Sequence, residues 1–254
     1  MCGSVLQPSL IATVTHYARA FLRHLSAALS RQLLPGSCAL CGSAADTALC
    51  ADCSRYARAE AASCSVCAAA LPATAPLCGR CLAHLPAFDA SVAATRYAPP
   101  IDLLVQALKF RAQLPLAKVF AQWLQQAIAG QPHAQGDLLI AVPLSAERLA
   151  DRGFNQAQEI ARPLARALEL PLLSSTCVRV RDTPPQSGLA LADRRDNMRS
   201  AFAVTDRAAF AGRRVLVVDD VMTTGHTLDA LAACLKRHGA VRVVNLVVAR
   251  TPLR

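Results

Sequence analysis

Aromatic residues make up only 4% of the 254-residue chain: one Trp, three Tyr and seven Phe. An aromatic stacking platform for single-stranded nucleic acid or RNA has few rings to draw on. No run of about 18 unbroken apolar residues occurs, so no helix is expected to span a membrane. The N-terminus lacks a basic stretch followed by an apolar run and a small-residue cleavage site, which points to a cytoplasmic protein rather than a secreted one. Lysine stands only at Lys109, Lys118 and Lys236, so Arg carries most of the positive charge. Arg is the side chain that best forks onto phosphate oxygens. Acids are outnumbered 17 to 27, for a formal charge of +10 that makes a polyanion a partner to test. Two nucleotide-binding fingerprints are missing, the Gly-x4-Gly-Lys-Ser/Thr loop and Gly-x-Gly-x-x-Gly. Disorder is excluded by a composition that is 54% hydrophobic, and the length allows one or two domains.

Cysteine is the residue present in force. Eight of the eleven lie between Cys38 and Cys81, as Cys38-x2-Cys41, Cys50-x2-Cys53, Cys64-x2-Cys67 and Cys78-x2-Cys81. Each CxxC turn puts two thiolates where one metal ion reaches both, and two turns complete the tetrahedron that zinc accepts. Four pairs therefore supply two structural four-cysteine zinc sites, with consecutive or crossed pairing both open. Redox dithiols fit less well, because such motifs come singly beside a βαβ unit. His84 follows Cys81 closely and is read as a bystander. Cys177 and Cys234 sit in apolar surroundings, as inert core thiols do. Arg55, Arg58 and Arg80 are balanced in this module by Asp46, Asp52 and Glu60, so it does not itself look like a phosphate-tracking surface.

Apolar positions from Leu10 to Leu33 repeat with a helical period, and Pro35-Gly36 end the stripe. Residues 1–37 read as an amphipathic leader, 38–86 as the zinc module and 87–254 as one further domain. In that domain strands are expected at Ser91–Tyr97, Asp137–Val142, Val178–Val180, Val215–Val218 and Val241–Ala249. Helices are expected at Ile101–Phe110, Leu116–Ile128, Asn155–Leu170, bent or split at Pro163, and Thr227–His238. Strands alternating with helices of ten or more residues indicate an α/β domain with a parallel sheet.

The most specific stretch runs Val215-Leu-Val-Val-Asp219-Asp220-Val-Met-Thr223-Thr224-Gly225-His226-Thr227. A buried strand ends in two carboxylates, and a small-residue loop leads into a helix. Ligands of open α/β sheets bind at the carboxyl ends of strands, where free N–H groups of a helix start and Thr hydroxyls make an anion cup. Two acids above the cup would repel phosphate and suit ribose hydroxyls or a magnesium ion.

This stretch resembles the 13-residue motif with which type I phosphoribosyltransferases bind 5-phosphoribosyl 1-diphosphate (PRPP). With the cysteines it is similar to the ComF family, also called competence protein F or GntX-like, in which a double zinc ribbon precedes a phosphoribosyltransferase domain. Further matching pieces are Leu108-Lys109-Phe110, Ile140-Ala-Val-Pro143-Leu144, Arg152-Gly-Phe-Asn-Gln156, Gln186, Leu189, Arg194, Asn197, Ala201-Phe202 and Ala249-Arg250-Thr251. The resemblance implies that Asp219 and Asp220 hold the ribose hydroxyls directly or through Mg2+. Thr223, Thr224, Gly225, His226 and Thr227 form the 5-phosphate loop, His226 standing where many relatives have a small residue. Pro143, Leu144 and Ser145 would form the pyrophosphate loop, with Arg148 or Arg152 near the diphosphate. Arg179 to Asn197 would be a hood carrying Gln186 and Arg194. The implied reaction is transfer of phosphoribosyl from Mg-PRPP to an acceptor, and the implied setting is DNA uptake, with single-stranded DNA or competence proteins as partners. The alternative is a non-catalytic DNA- or protein-binding adaptor that uses the same fold as a platform. Purine-salvage relatives carry a further carboxylate three residues after the acidic pair; Thr223 stands there, which argues against oxopurine salvage.

Overall fold

A computed structural model describes residues 36–57, 62–71, 75–180 and 201–252. The expected leader helix therefore lies outside the described residues. By internal contacts the chain parts into two compact units, Met1–Cys53 and Ser54–Arg254. The first holds the Cys38–Cys53 turns and the start of a short helix, α1 (Ala51–Tyr56).

In the second unit, helix α2 (Gly79–Ala83) precedes a sheet of four parallel strands. These are β1 (Ala90–Arg96), β2 (Leu138–Ala141), β5 (Arg214–Met222) and β6 (Arg242–Arg250), in the order β1-β6-β5-β2. A parallel bridge from Leu139 to Leu172 adds a minimal fifth strand outside β2. Eight of the nine residues of β6 are buried. That is the near-continuous apolar pattern of a strand covered on both faces. Helices α3 (Ile101–Arg111) and α4 (Pro115–Ile128) follow β1, while α5 (Ala146–Arg152) and α6 (Gln156–Leu168) follow β2. Helix α7 (His226–Arg237) joins β5 to β6. Strands β3 (Cys177–Arg179) and β4 (Phe202–Val204) pair antiparallel in a separate ribbon.

Local sequence explains the punctuation. The Asn155 side chain accepts from the N–H groups of Ala157 and Gln158, so α6 begins there as expected. Its Nδ2 also donates to the Val142 carbonyl at 3.0 Å, tying the helix start to the end of β2. Pro163 does not split α6, which runs unbroken around it. The thiols of Cys64, Cys67, Cys78 and Cys81 share one apolar core with Phe88, Phe210, Met222 and Val247. The second pair of cysteine turns is thus continuous with the sheet domain in its packing.

After β2 the chain moves outward to the Leu172 bridge, whereas after β5 it moves to β6 on the other side. The connections diverge between β2 and β5, and such a switch point opens a crevice at the strands' carboxyl ends.

Candidate functional site

The eight cysteines gather as two sets in chain order, Cys38, Cys41, Cys50 and Cys53, then Cys64, Cys67, Cys78 and Cys81. Within each set the sulfurs lie within 4.8 Å of one another. Zinc–thiolate bonds of about 2.3 Å make a tetrahedron with edges of about 3.8 Å. Cys41 and Cys50 stand 3.8 Å apart and Cys67 and Cys78 3.5 Å, so both sets fit zinc, and consecutive rather than crossed pairing is the arrangement present. His84 belongs to neither set. The two turns repeat each other's backbone. Cys38 N–H donates to Ser43 O and Gly42 N–H to Cys38 O, while Cys64 N–H donates to Ala69 O and Ala68 N–H to Cys64 O. Ala68, with φ of 55°, adopts the left-handed conformation that Gly42 takes at the matching place.

The acidic pair sits inside β5 rather than past its end. The expected strand stopped at Val218, but β6 is long enough to pair with Asp219, Val221 and Met222 after β2 has ended opposite Val218. Asp219 and Asp220 therefore stand beyond the end of β2, next to the loop Val142–Ser145. Asp220 is buried, and Lys109 Nζ, from the last turn of α3, lies 2.9 Å from its Oδ2. The ammonium faces this oxygen as a charge without an aligned bond, for Oδ2 accepts no hydrogen bond. Dense protein around Asp219, and then the charge of Asp220, push the Asp219 carboxyl up to about 7, with Lys109 and Arg179 pulling the other way. Two crowded carboxylates, Asp220 with an ammonium against it, fit a hydroxyl donor or a divalent cation.

Beyond Met222, the residues Thr223, Thr224 and His226 are exposed and Thr227 is half-buried. Gly225, with φ of 85°, is the N-cap of α7, and a Cβ there would stand 2.6 Å from Met222 Cε. Glycine is favoured there by the left-handed backbone conformation, while the Met222 methyl would have to shift to admit a Cβ. Across the switch point, Pro143 and Leu144 are half-buried, and Ser145 is buried and caps α5 by accepting from Arg148 N–H at 3.4 Å. Arg148 is exposed. Arg152, half-buried, bonds Gln156 and lies over the Phe110 ring at 5.4 Å. Burial lowers its pKa and Asp220 opposes that, so Arg152 is within electrostatic reach of the acidic pair. Gln186 and Arg194 lie outside the described residues, in the connection between β3 and β4.

Three basic residues at this site carry more than their sequence signal. Lys109 stands in the Leu-Lys-Phe triplet without an assigned role, yet it is the cation facing Asp220. Arg80 counted only as module charge, yet its Nη2 donates to the Thr224 carbonyl at 2.9 Å. Arg250 falls just past the expected strand Val241–Ala249, yet it closes β6 and is buried, where a guanidinium must find acceptors.

The comparisons agree with this layout. Residues 29–82 match the double zinc ribbon domain and residues 149–252 the phosphoribosyl transferase domain. The chain is a parallel-sheet phosphoribosyltransferase-fold protein with an N-terminal double zinc ribbon. "DNA utilization protein YhgH" of Escherichia coli O157:H7 is 35% identical over 86% of this chain and 98% of its own. "Competence protein F" of Haemophilus influenzae is 35% identical over 62% of this chain and 71% of its own. "Competence protein ComFC" of Bacillus subtilis is 28% identical over 54% of each. The chain belongs to the ComF/YhgH family. Among solved structures, an allosteric regulatory enzyme of purine biosynthesis matches 52% of this chain and 25% of its own at 21% identity and TM-score 0.36, too slight a likeness to carry an argument.

Proposed function

We propose that the chain binds PRPP with magnesium at the carboxyl ends of β2 and β5 and transfers its phosphoribosyl group to an acceptor. The observation that carries this reading is the crowded pair Asp219–Asp220, faced by Lys109, directly before a glycine-capped helix start. Asp219 and Asp220 would take the ribose hydroxyls or the cation, and the loop Thr223–Thr227 the 5-phosphate. Pro143–Ser145 with Arg148 and Arg152 would receive the diphosphate, and Gln186 and Arg194 would belong to the hood. Magnesium, when bound, would neutralise charge on the diphosphate as it leaves. The bond from C1 to the diphosphate oxygen breaks with its electron pair on the leaving group, and the acceptor's lone pair forms the new bond to C1. The protein's share is positioning and charge stabilisation, and closure of the hood would exclude water. In this reading residues 38–86 serve as a structural zinc module, 87–254 as the phosphoribosyl-binding domain and 1–37 as a leader, in a reducing cytoplasm where thiolates stay available to zinc.

The relatives' names, which speak of competence and DNA utilization, favour a second reading as a DNA-binding adaptor on the same fold. Calorimetry separates the two. Mg-PRPP binding that is lost in Asp219→Ala/Asp220→Ala protein supports the first; no binding by the native chain, or equal binding by the variant, refutes it. Single-stranded DNA affinity that falls steeply with salt and survives the double substitution supports the second.

A further inference from the structure

Arg250 is 4% exposed at the end of β6, and the oxygens it meets are peptide carbonyls and one hydroxyl. Its Nε donates to the Cys67 carbonyl, in the second pair of zinc turns, at 2.9 Å. Its Nη1 donates to the Met222 carbonyl at 3.0 Å and also to that of Thr223, and it meets the Thr251 carbonyl at 3.0 Å. Arg80 stands in α2 between Cys78 and Cys81 and holds the Thr224 carbonyl. Three successive carbonyls, those of Met222, Thr223 and Thr224, are thus held by two guanidinium groups, both joined to the second zinc turns.

The planar trans peptide gives this a consequence. C=O and N–H of one peptide unit point in opposite directions. Holding the three carbonyls on the arginine side turns the N–H groups of Thr223, Thr224 and Gly225 the other way. Among the described residues no backbone carbonyl accepts from these three groups. Successive N–H groups presented together make an anion-binding nest, and this one runs into the first turn of α7, whose leading N–H groups have no intrahelical acceptor. Thr224 and Gly225 border a cavity of about 290 Å³ that is also lined by Cys67, Arg80, Cys81 and Arg250. The two side chains bridge where packing is missing.

We propose that Arg250 and Arg80 are positioning residues that shape the 223–225 backbone into the seat for the 5-phosphate, with the second zinc turns as their anchor. This rests on the PRPP reading of the loop. Four thiolates on one metal would hold the Cys67 carbonyl and the start of α2 in place, so an intact ribbon becomes a condition for a formed phosphate seat.

The test uses the full zinc-loaded chain and two calorimetric probes, ribose 5-phosphate for the seat and magnesium pyrophosphate for the opposite end of the site. Arg80 is exposed, so Arg80→Gln leaves core packing intact; Arg250→Lys keeps the charge but loses the forked geometry. Each is expected to weaken ribose 5-phosphate about tenfold while magnesium pyrophosphate stays within about twofold, at unchanged zinc content. The amide resonances of Thr223, Thr224 and Gly225 should shift in the free Arg80→Gln protein. A general structural defect would weaken both probes alike. Parallel loss of both, or native affinity for ribose 5-phosphate in Arg80→Gln, overturns the inference while leaving PRPP binding standing. Failure of the native chain to bind Mg-PRPP and ribose 5-phosphate removes the underlying reading, and this inference with it. Should Arg250→Lys fail to fold, Arg80→Gln decides.

Discussion

Replacing Lys109 by Met removes the cation that faces Asp220 Oδ2 at 2.9 Å. At an effective dielectric of about 20, two unit charges at this separation attract by about 6 kcal/mol, most of it offset by the desolvation of both groups. What remains after the substitution decides the outcome. The Asp220 side chain is 4% exposed and that of Lys109 21%, so the variant keeps an acid in the protein interior with only longer-range charge such as that of Arg152 to balance it. Removing one partner of a fully buried pair costs about 3–5 kcal/mol; with Lys109 partly wet, about 2–3 kcal/mol is expected. Asp220→Asn leaves an ammonium that can turn to water, and its cost should be about 1–2 kcal/mol. The double variant should be more stable than the sum of the singles implies, with a coupling of about 1–2 kcal/mol. Urea unfolding of the zinc-loaded protein at neutral pH reads these values through Trp123, the single tryptophan, which is buried and so reports loss of the core. With a slope of about 1–3 kcal/mol/M, Lys109→Met should lower the midpoint by about 1 M. Millimolar Mg2+ should restore part of the loss in Lys109→Met and none in the double variant, because a cation would then take the vacated place. A midpoint within about 0.2 M of the native value, or strict additivity of the singles, would refute the pairing as the source of stability.

Metal analysis should give two zinc ions per chain, and fewer would contradict the two four-thiolate sets; Cys67→Ser should release one ion and destabilise the sheet domain, since Cys67 shares its core. Cys177 should resist alkylation, because burial pushes its thiol up to about 12 and burial raises Cys234 as well. The thiolate is the reactive form and a raised pKa keeps it scarce below that value, so the Cys177 rate should rise about tenfold per pH unit from 7 to 10. At pH 8 it should be about a thousandfold below that of a free cysteine of pKa about 8.5. Peptide mapping by mass spectrometry reads this, and a plateau near pH 9 would show an ordinary thiol.

Much of the fold was legible because its signals are local. Buried parallel strands read as apolar runs, and β1, β2 and β6 lie within a residue or so of their expected bounds. Asn155 marks a helix start through chemistry that acts within a few residues. Helix α5 and strand β4 were not foreseen, being too short for a periodic pattern to accumulate. The length of β5 escaped for another reason, since a strand ends where its neighbours end and β6 lies more than 20 residues further along the chain.

By itself the sequence determined the double zinc ribbon, the parallel α/β class, and the acidic pair with its phosphate-type loop, because each is written in local pattern: regularly spaced CxxC turns, alternating strand and helix periods, and one continuous 13-residue stretch. Only the tertiary structure decided which cysteines share a metal, that Lys109 faces Asp220, and that Arg80 and Arg250 brace the loop from the second zinc turns. Those contacts join residues more than 100 positions apart for Lys109 and Arg80, and 183 for Arg250 and Cys67. No spacing rule reaches so far. A guanidinium or an ammonium looks the same in the sequence whether it meets water, a carboxylate or a row of carbonyls, and folding alone selects which.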